Sequence, residues 1–263
     1  MNSFLLLEPR DDLLLRIAQI SVCEPQKLFA GTELALYKDD GPLWVPADAA
    51  LLAALQEAPE QWPGLILQSS ASETVLLSHL RHILLIRFDE GQRKGVLRYW
   101  SPRSASYLFL SGTPEDRQPW LGPIDCLRWH GGTWRESAEG RQGWREQPNA
   151  LAASWVAPPP PRPLLHLLPS QEEALERQEC EYFVQRWHAQ HPAVTFGQAW
   201  DYFTQARAAG FSEAEPLRRY MDLRAANPRV NVPPELPGAT SDERLDHLQN
   251  HLQQGCTQQE AHA

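Results

Sequence analysis

At 263 residues the chain has the length for one large domain or two small ones, each with a buried core. Its 33 acidic residues against 24 basic ones leave a formal charge of -9, which repels phosphate backbones and anionic lipid and argues against nucleic acid or a membrane surface as partner. No stretch approaches the ~20 apolar residues that span a bilayer, and Cys23, Cys126, Cys180 and Cys256 are too scattered for a C-x-x-C metal or redox site.

The chain opens on Phe4-Leu5-Leu6-Leu7, an apolar run that lacks a basic flank and meets Glu8, Pro9 and Asp11-Asp12 at once, so it does not read as a signal peptide. A cytoplasmic protein is the expectation. Asp39-Asp40-Gly41-Pro42 has turn chemistry, and Asp48 can cap a helix that carries Leu51, Leu52 and Leu55 and stops at Pro59. Leu65-Ile66-Leu67 reads as a strand, followed by a capping box of Ser70 with Glu73 ahead of a helix bearing Leu76, Leu77 and Leu80. Ile83-Leu84-Leu85-Ile86 is a further strand, joined through a loop over 89–95 to one over 96–100. Residues 124–130 and 133–135 suggest another hairpin, turned at Gly131-Gly132. This mixture of short apolar runs and helix-like segments predicts an α/β or α+β lobe with a mixed sheet over residues 1–156.

Ala157-Pro158-Pro159-Pro160-Pro161-Arg162-Pro163 then favours an extended, semi-rigid conformation, and residues 157–169 read as a linker. Beyond it, Ser170/Glu173, Thr195/Gln198, Ser212/Glu215 and Thr240/Glu243 each have capping-box spacing. Apolar stripes follow at helical period: Phe183/Trp187, Phe196/Trp200/Phe203, Leu217/Tyr220/Met221 and Leu245/Leu248/Leu252. Pro192, Gly210 and Asn227-Pro228 supply the stops. Residues 170–263 are therefore a small all-helical lobe ending in a disordered tail.

Enzyme signatures are missing: there is no G-x-S-x-G elbow, P-loop, dinucleotide turn or H-E-x-x-H helix. His79/His82 and His188/His191 can each share a helix face, but two imidazoles alone are an incomplete metal site. Adjacent Asp39-Asp40 and Glu172-Glu173 do not converge as an acid/base pair would. The expectation is no enzyme, no metal and no cofactor. Of the ten tryptophans, Trp187 and Trp200 fall on core stripes, while Trp120, Trp129, Trp134 and Trp144 lie in a Gly/Arg/Gln-rich region where a surface role is open.

Several ordered segments resemble the adaptor or effector-chaperone family of the bacterial type VI secretion system, first catalogued as a domain of unknown function. They are Leu28-Phe29-Ala30-Gly31-Thr32, Gly41-Pro42-Leu43-Trp44-Val45-Pro46, the strand Trp62-Pro63-Gly64-Leu65-Ile66-Leu67-Gln68-Ser69, the helix with His79-Leu80-Arg81-His82, and Leu121-Gly122-Pro123-Ile124. Val96-Leu97-Arg98-Tyr99-Trp100-Ser101-Pro102-Arg103 is similar to the family's most recognisable element, an aromatic strand ending in Asp-Pro-Arg. Here Ser101 replaces the usual Asp, and Glu8 stands where an Asp is common, so Arg103 must find another partner. The resemblance spans about residues 28–135, and more loosely 206–234.

It implies a protein that binds a cognate toxin effector and helps mount it on the VgrG spike. The partner-binding residues expected are Trp100, Arg103, Tyr107 and Phe109 on the N-terminal wall of a groove between the lobes, and Tyr202, Arg218 and Arg219 on the helical wall. An immunity-type or scaffolding protein is the alternative, and a hydrolase with an unrecognised site a further one.

Overall fold

The computed structural model describes residues 2–233 and 235–260. By chain contacts it divides into two compact units, the first ending at Glu179 and the second starting at Cys180.

In the first unit β1 (Asn2–Leu7) leads to α1 (Leu13–Ile20), β2 (Gln26–Lys27), β3 (Leu43–Pro46), α2 (Ala49–Glu57), β4 (Gly64–Ser69) and α3 (Glu73–His82). Then come β5 (Leu85–Phe88), β6 (Arg93–Val96), α4 (Pro102–Leu108), α5 (Pro114–Leu121), β7 (Cys126–Gly131), α6 (Trp134–Ala138), β8 (Gly143–Pro148) and β9 (Leu165–His166). One antiparallel sheet has the order β2-β3-β1-β4-β7-β8; a smaller mixed sheet has the order β6-β5-β9, with β9 parallel to β5. The α/β class with a mixed sheet holds, the mixture residing in the smaller sheet.

Burial on both faces explains why β1 is continuously apolar. Successive side chains of a strand point to opposite faces. Phe4 and Leu6 join Trp44, Leu65, Leu67 and Trp129 in one core, which α3 and α4 cover. Leu5 and Leu7 join Val45 and Ile66 in the other, covered by Leu13 and Ile17 of α1 and Leu51 and Leu55 of α2. The run that opens the sequence is thus one of the two central strands of the large sheet, paired on both edges.

Asp48 caps α2 as expected, accepting from the Leu51 N–H at 2.8 Å. Other expected elements move. The cap of α3 is Ser72, not Ser70, whose own N–H is held by Asp125. The strand expected over 96–100 is displaced to β6, because Asp89 and Glu90, both with positive φ, turn the chain early. Thr133 opens no strand: it caps α6 in a reciprocal box with Glu136, and the strand that pairs with β7 is β8.

The Pro-rich stretch is part of the first unit. Arg162 donates to Ser78 of α3 at 3.1 Å, Leu165 and His166 pair with β5, and Leu165, Leu167 and Leu175 pack against the first core. The linker expected over 157–169 thus gives way to a strap, and the unit boundary falls inside the following helix, α7 (Pro169–His188).

The second unit comprises the end of α7 with α8 (Phe196–Ala208), α9 (Ala214–Ala226) and α10 (Ser241–Glu260). Its core takes Val184, Trp187, Phe196, Phe203, Tyr220, Met221, Leu245 and Leu248. Thr195/Gln198 and Thr240/Glu243 form the expected boxes. Ser170 lies inside α7, whose entry is closed by Gln171 accepting from Leu168, and α9 starts after Glu213 without a side-chain cap. Of the disordered tail expected at the C-terminus, the part up to Glu260 belongs to α10, and residues 261–263 lie outside the described residues.

Candidate functional site: a charged groove in the first unit

The first unit holds an open groove of about 1170 Å³. Its floor follows from strand periodicity. Ile86 opposes Gly95 and Phe88 opposes Arg93 across β5 and β6, and cross-strand partners share a face. The ladder continues past β6 through the Leu97 N–H to the Leu84 carbonyl at 2.9 Å, which adds Leu97 to that face. All five side-chain positions line the groove. The Arg93 guanidinium lies over the Phe88 ring, 4.9 Å from its centroid.

One wall is the N-terminal half of α7. Glu172 accepts from the Asp89 N–H at 2.9 Å, which ties the helix to the β5–β6 turn, and Gln178 donates to Ser104 of α4 at 3.2 Å. Between these ties Leu175 faces the floor, and Glu172, Glu176 and Glu179 line the groove at i, i+4 and i+7. The other end is the start of α4 and the corner between β7 and α6, from Ser101 through Ser104 and from His130 through Gly132 to Trp134.

That corner answers the question raised by Ser101. Arg103 donates to the carbonyls of Gly132 and Thr133, both at 2.6 Å, and its guanidinium lies 4.1 Å from the Trp134 ring centroid. The carbonyls are held in place by the Thr133–Glu136 box, and Glu136 also pairs with Arg145 at 2.6 Å. Burial pushes the Glu136 carboxyl up, but the Thr133 N–H and Arg145 outweigh it and hold the group below its usual range.

Of the residues expected to bind a partner, Arg103 lines this groove. Trp100 is a core residue, edge-on to Phe29 at 5.5 Å, and Phe109 packs beside Trp129. Tyr107 is buried, and its hydroxyl accepts from the Trp134 N–H at 2.8 Å, so it braces the corner from behind. In the second unit Tyr202 is buried in the helical core under Arg224, while Arg218 and Arg219 are surface residues paired with Glu215 and Asp242. Burial removes Trp100, Tyr107, Phe109 and Tyr202 from the surface that a partner could touch. The groove that holds Arg103 is walled by the first unit alone. Trp120 and Trp129, placed by sequence in a region open to a surface role, are core residues, whereas Trp144 is exposed.

Among the described residues no three His, Cys, Asp or Glu side chains gather as metal ligands. His79 is buried with its Nε2 2.9 Å from the Trp120 carbonyl, and desolvation lowers its pKa to about 4. Burial, with Glu146 beside it, pushes the Cys126 thiol up to about 11, which leaves it a poor nucleophile at neutral pH.

Residues 3–119 match a family model described as a domain of unknown function, DUF4123. The DUF4123 segment runs from β1 into α5 and supplies the groove's floor, Arg103 and the start of α4. The β7–α6 corner and the α7 wall lie outside it. No curated protein and no solved structure matches the chain. No described helix is long and apolar enough to cross a membrane.

Proposed function

We propose that the chain is a type VI secretion adaptor, a non-catalytic cytoplasmic protein that binds a cognate toxin effector and helps mount it on the VgrG spike. The observation that carries this reading is a coincidence of place. The segment that most resembles the adaptor family, from Val96 to Arg103, supplies part of the groove's lining, and it falls within the DUF4123 match. The groove is the kind of surface that binding requires: an open concavity in which the half-buried Phe88, Leu167 and Leu175 lie inside a rim of charge. Arg103 supports the reading from another side. Its carbonyl contacts hold the guanidinium in a fixed pose at the rim, so little ordering entropy remains to be lost on binding.

The test is co-purification of the full chain with the effector and VgrG encoded beside its gene. An adaptor bridges the two. If the chain instead binds the toxin domain alone and neutralises its toxicity without VgrG, an immunity protein is the correct description. If it binds neither, the adaptor reading fails.

A further inference from the structure

We propose that the outer face of the α1–α2 layer docks a helical segment of a partner protein whose apolar stripe is flanked by lysines or arginines. The proposal stands on this surface alone; in an adaptor it supplies, beside the groove, the second face that bridging two proteins requires.

The first observation is an inverted helix. A helix on the surface of a globular unit turns its apolar stripe to the core and its polar residues to solvent. Leu13 and Ile17 of α1 follow that rule and are buried in the second core. The other leucines break it: Leu14 is 50% exposed and Leu15 64%. Ala18, one turn on from both, is exposed as well. Arg16, the one charged residue of the helix, is drawn inward instead. Its side chain is only 20% exposed, it lies over the Trp62 ring at 4.3 Å from the centroid, and it donates to the Gln61 carbonyl at 2.8 Å. Just past the helix Val22 is 97% exposed and adds to the uncovered apolar surface.

The second is that α2 continues this surface. The two helices run antiparallel: Ser21, past the end of α1, donates to Asp48 at the start of α2 at 2.5 Å, and Arg16 reaches Gln61, past the end of α2. With Leu51 and Leu55 turned to the core, the outward positions of α2 include Ala49 and Ala53, both exposed. Alanine keeps α2 low beside the leucines of α1, so the pair presents a shallow apolar surface of the kind against which a third helix packs.

The third is the sign of the margin. Asp11 and Asp12 stand at the start of α1, and Glu57, in the last turn of α2, lies at the same end because the helices are antiparallel. Asp12 is shared with Arg16 at 3.7 Å, whereas Asp11 and Glu57 are exposed with no cationic partner among the described residues. Glu24, two residues beyond Val22, adds an exposed carboxylate at the other end. Arg10 lines the groove instead. An exposed apolar centre inside a charged margin is the anatomy of a docking surface, and here the margin is acidic. A second copy of this chain would set acid against acid, in a molecule of formal charge -9, so the occupant is a different protein with a basic margin.

The experiment uses three stapled helical peptides of about three turns. One carries a leucine stripe flanked by lysines, one the same stripe flanked by glutamates, and one keeps the lysines but has serines in place of the leucines. Fluorescence anisotropy with the full chain at about 0.15 M salt is expected to rank the first at least about tenfold tighter than the other two. Leu14→Ser/Leu15→Ser should bring its affinity down to that of the serine peptide, and Asp11→Lys/Glu57→Lys should make the glutamate peptide the tightest. All four positions are exposed, so unchanged thermal unfolding is expected. Should the serine variant unfold early, the charge-reversal variant decides.

Equal affinities of the three peptides, or a ranking that the variants leave unmoved, overturns the proposal. So does a dimer of the free chain in analytical ultracentrifugation that the serine variant dissolves, since a second copy is then the occupant. Co-purification separates this surface from the adaptor reading: variant-sensitive binding of the lysine-flanked peptide by a chain that takes neither effector nor VgrG upholds the surface and removes that reading.

Discussion

Thr195 caps its helix through Gln198, three residues along, whereas Leu5 of β1 is held between Val45 on one side and Ile66 on the other, each far along the chain. The helical unit is built from local instructions. The sheet unit is built from pairings between distant segments, and β4 in turn depends on β7, where Leu65 meets Trp129. Long-range pairings pay their loop-closure entropy before they are rewarded, so the sheet unit must gain its stability from large shared cores. The groove belongs to that unit, and its floor, α7 wall and corner come from three stretches that are remote in sequence.

The largest expected effect attacks those shared cores. Trp129 is fully buried, and its Nε1 donates to Ser106 at 2.9 Å. Trp129→Ala should cost about 3–5 kcal/mol through the cavity and the lost hydrogen bond to Ser106. Differential scanning calorimetry should show the sheet unit melting earlier while the helical transition stays in place. A common shift of both would mean that the units do not unfold separately.

A cut in the chain sharpens the same contrast. A chain ending at residue 163 keeps everything the sequence assigns to the first lobe but loses β9, Leu165, Leu167 and Leu175 from the first core. Losing three half-buried leucines should cost about 3 kcal/mol and leave apolar surface that binds a hydrophobic dye. A chain ending at Glu179, the last residue of the first unit, should unfold cooperatively with no dye binding. Equal behaviour of the two would show that the strap and α7 are dispensable to the sheet unit.

These two experiments also mark where the sequence is legible. Asp48, Thr195 and Thr240 announce their helices because a cap and its recipient N–H lie within one turn. Gly210 and Asn227 end theirs for the same local reason. Thr133 and Glu136 carry the same signal, but the Gly131-Gly132 pair before them looked like a hairpin turn, and β8, the true partner of β7, is a charged edge strand with little apolar pattern. The prolines of 158–163 suggested a spacer because nothing local shows that Arg162 reaches back to Ser78. Arg103 was found through resemblance. Glu172, Glu176 and Glu179 were missed as a set: their helical spacing is visible, but the strand face that gives it meaning is set by the register of Phe88 on Arg93.

Acid is expected to act on the sheet unit through His79. Desolvation lowers its pKa to about 4 in the fold, against 6.5 when exposed. The unfolded chain therefore takes up the proton first. The stability that the neutral ring contributes is complete above about pH 6.5 and lost as pH falls towards 4, amounting to about 3 kcal/mol in all. Urea titrations across that range should show the decline in the wild type. His79→Gln, whose amide can still donate to the Trp120 carbonyl, should be less stable at neutral pH but flatter with pH over the same window. An equally steep profile in that variant would assign the acid sensitivity to other groups.

The smallest effect is a matched pair of caps. Thr195→Ala removes the acceptor of the Gln198 N–H at the start of α8, and Thr133→Ala removes that of Glu136 at the start of α6. Each should cost about 1 kcal/mol in its own unit, since a lost cap strands the same kind of donor wherever it lies. Their consequences should then part. The Thr195 cap supports only helical packing, so its loss should leave binding in the groove unchanged. The Thr133 cap fixes the carbonyls that hold Arg103, and its removal should loosen that side chain and weaken binding of the effector several-fold. Equal loss of effector affinity in the two variants would mean that global stability, rather than the pose of Arg103, governs the groove.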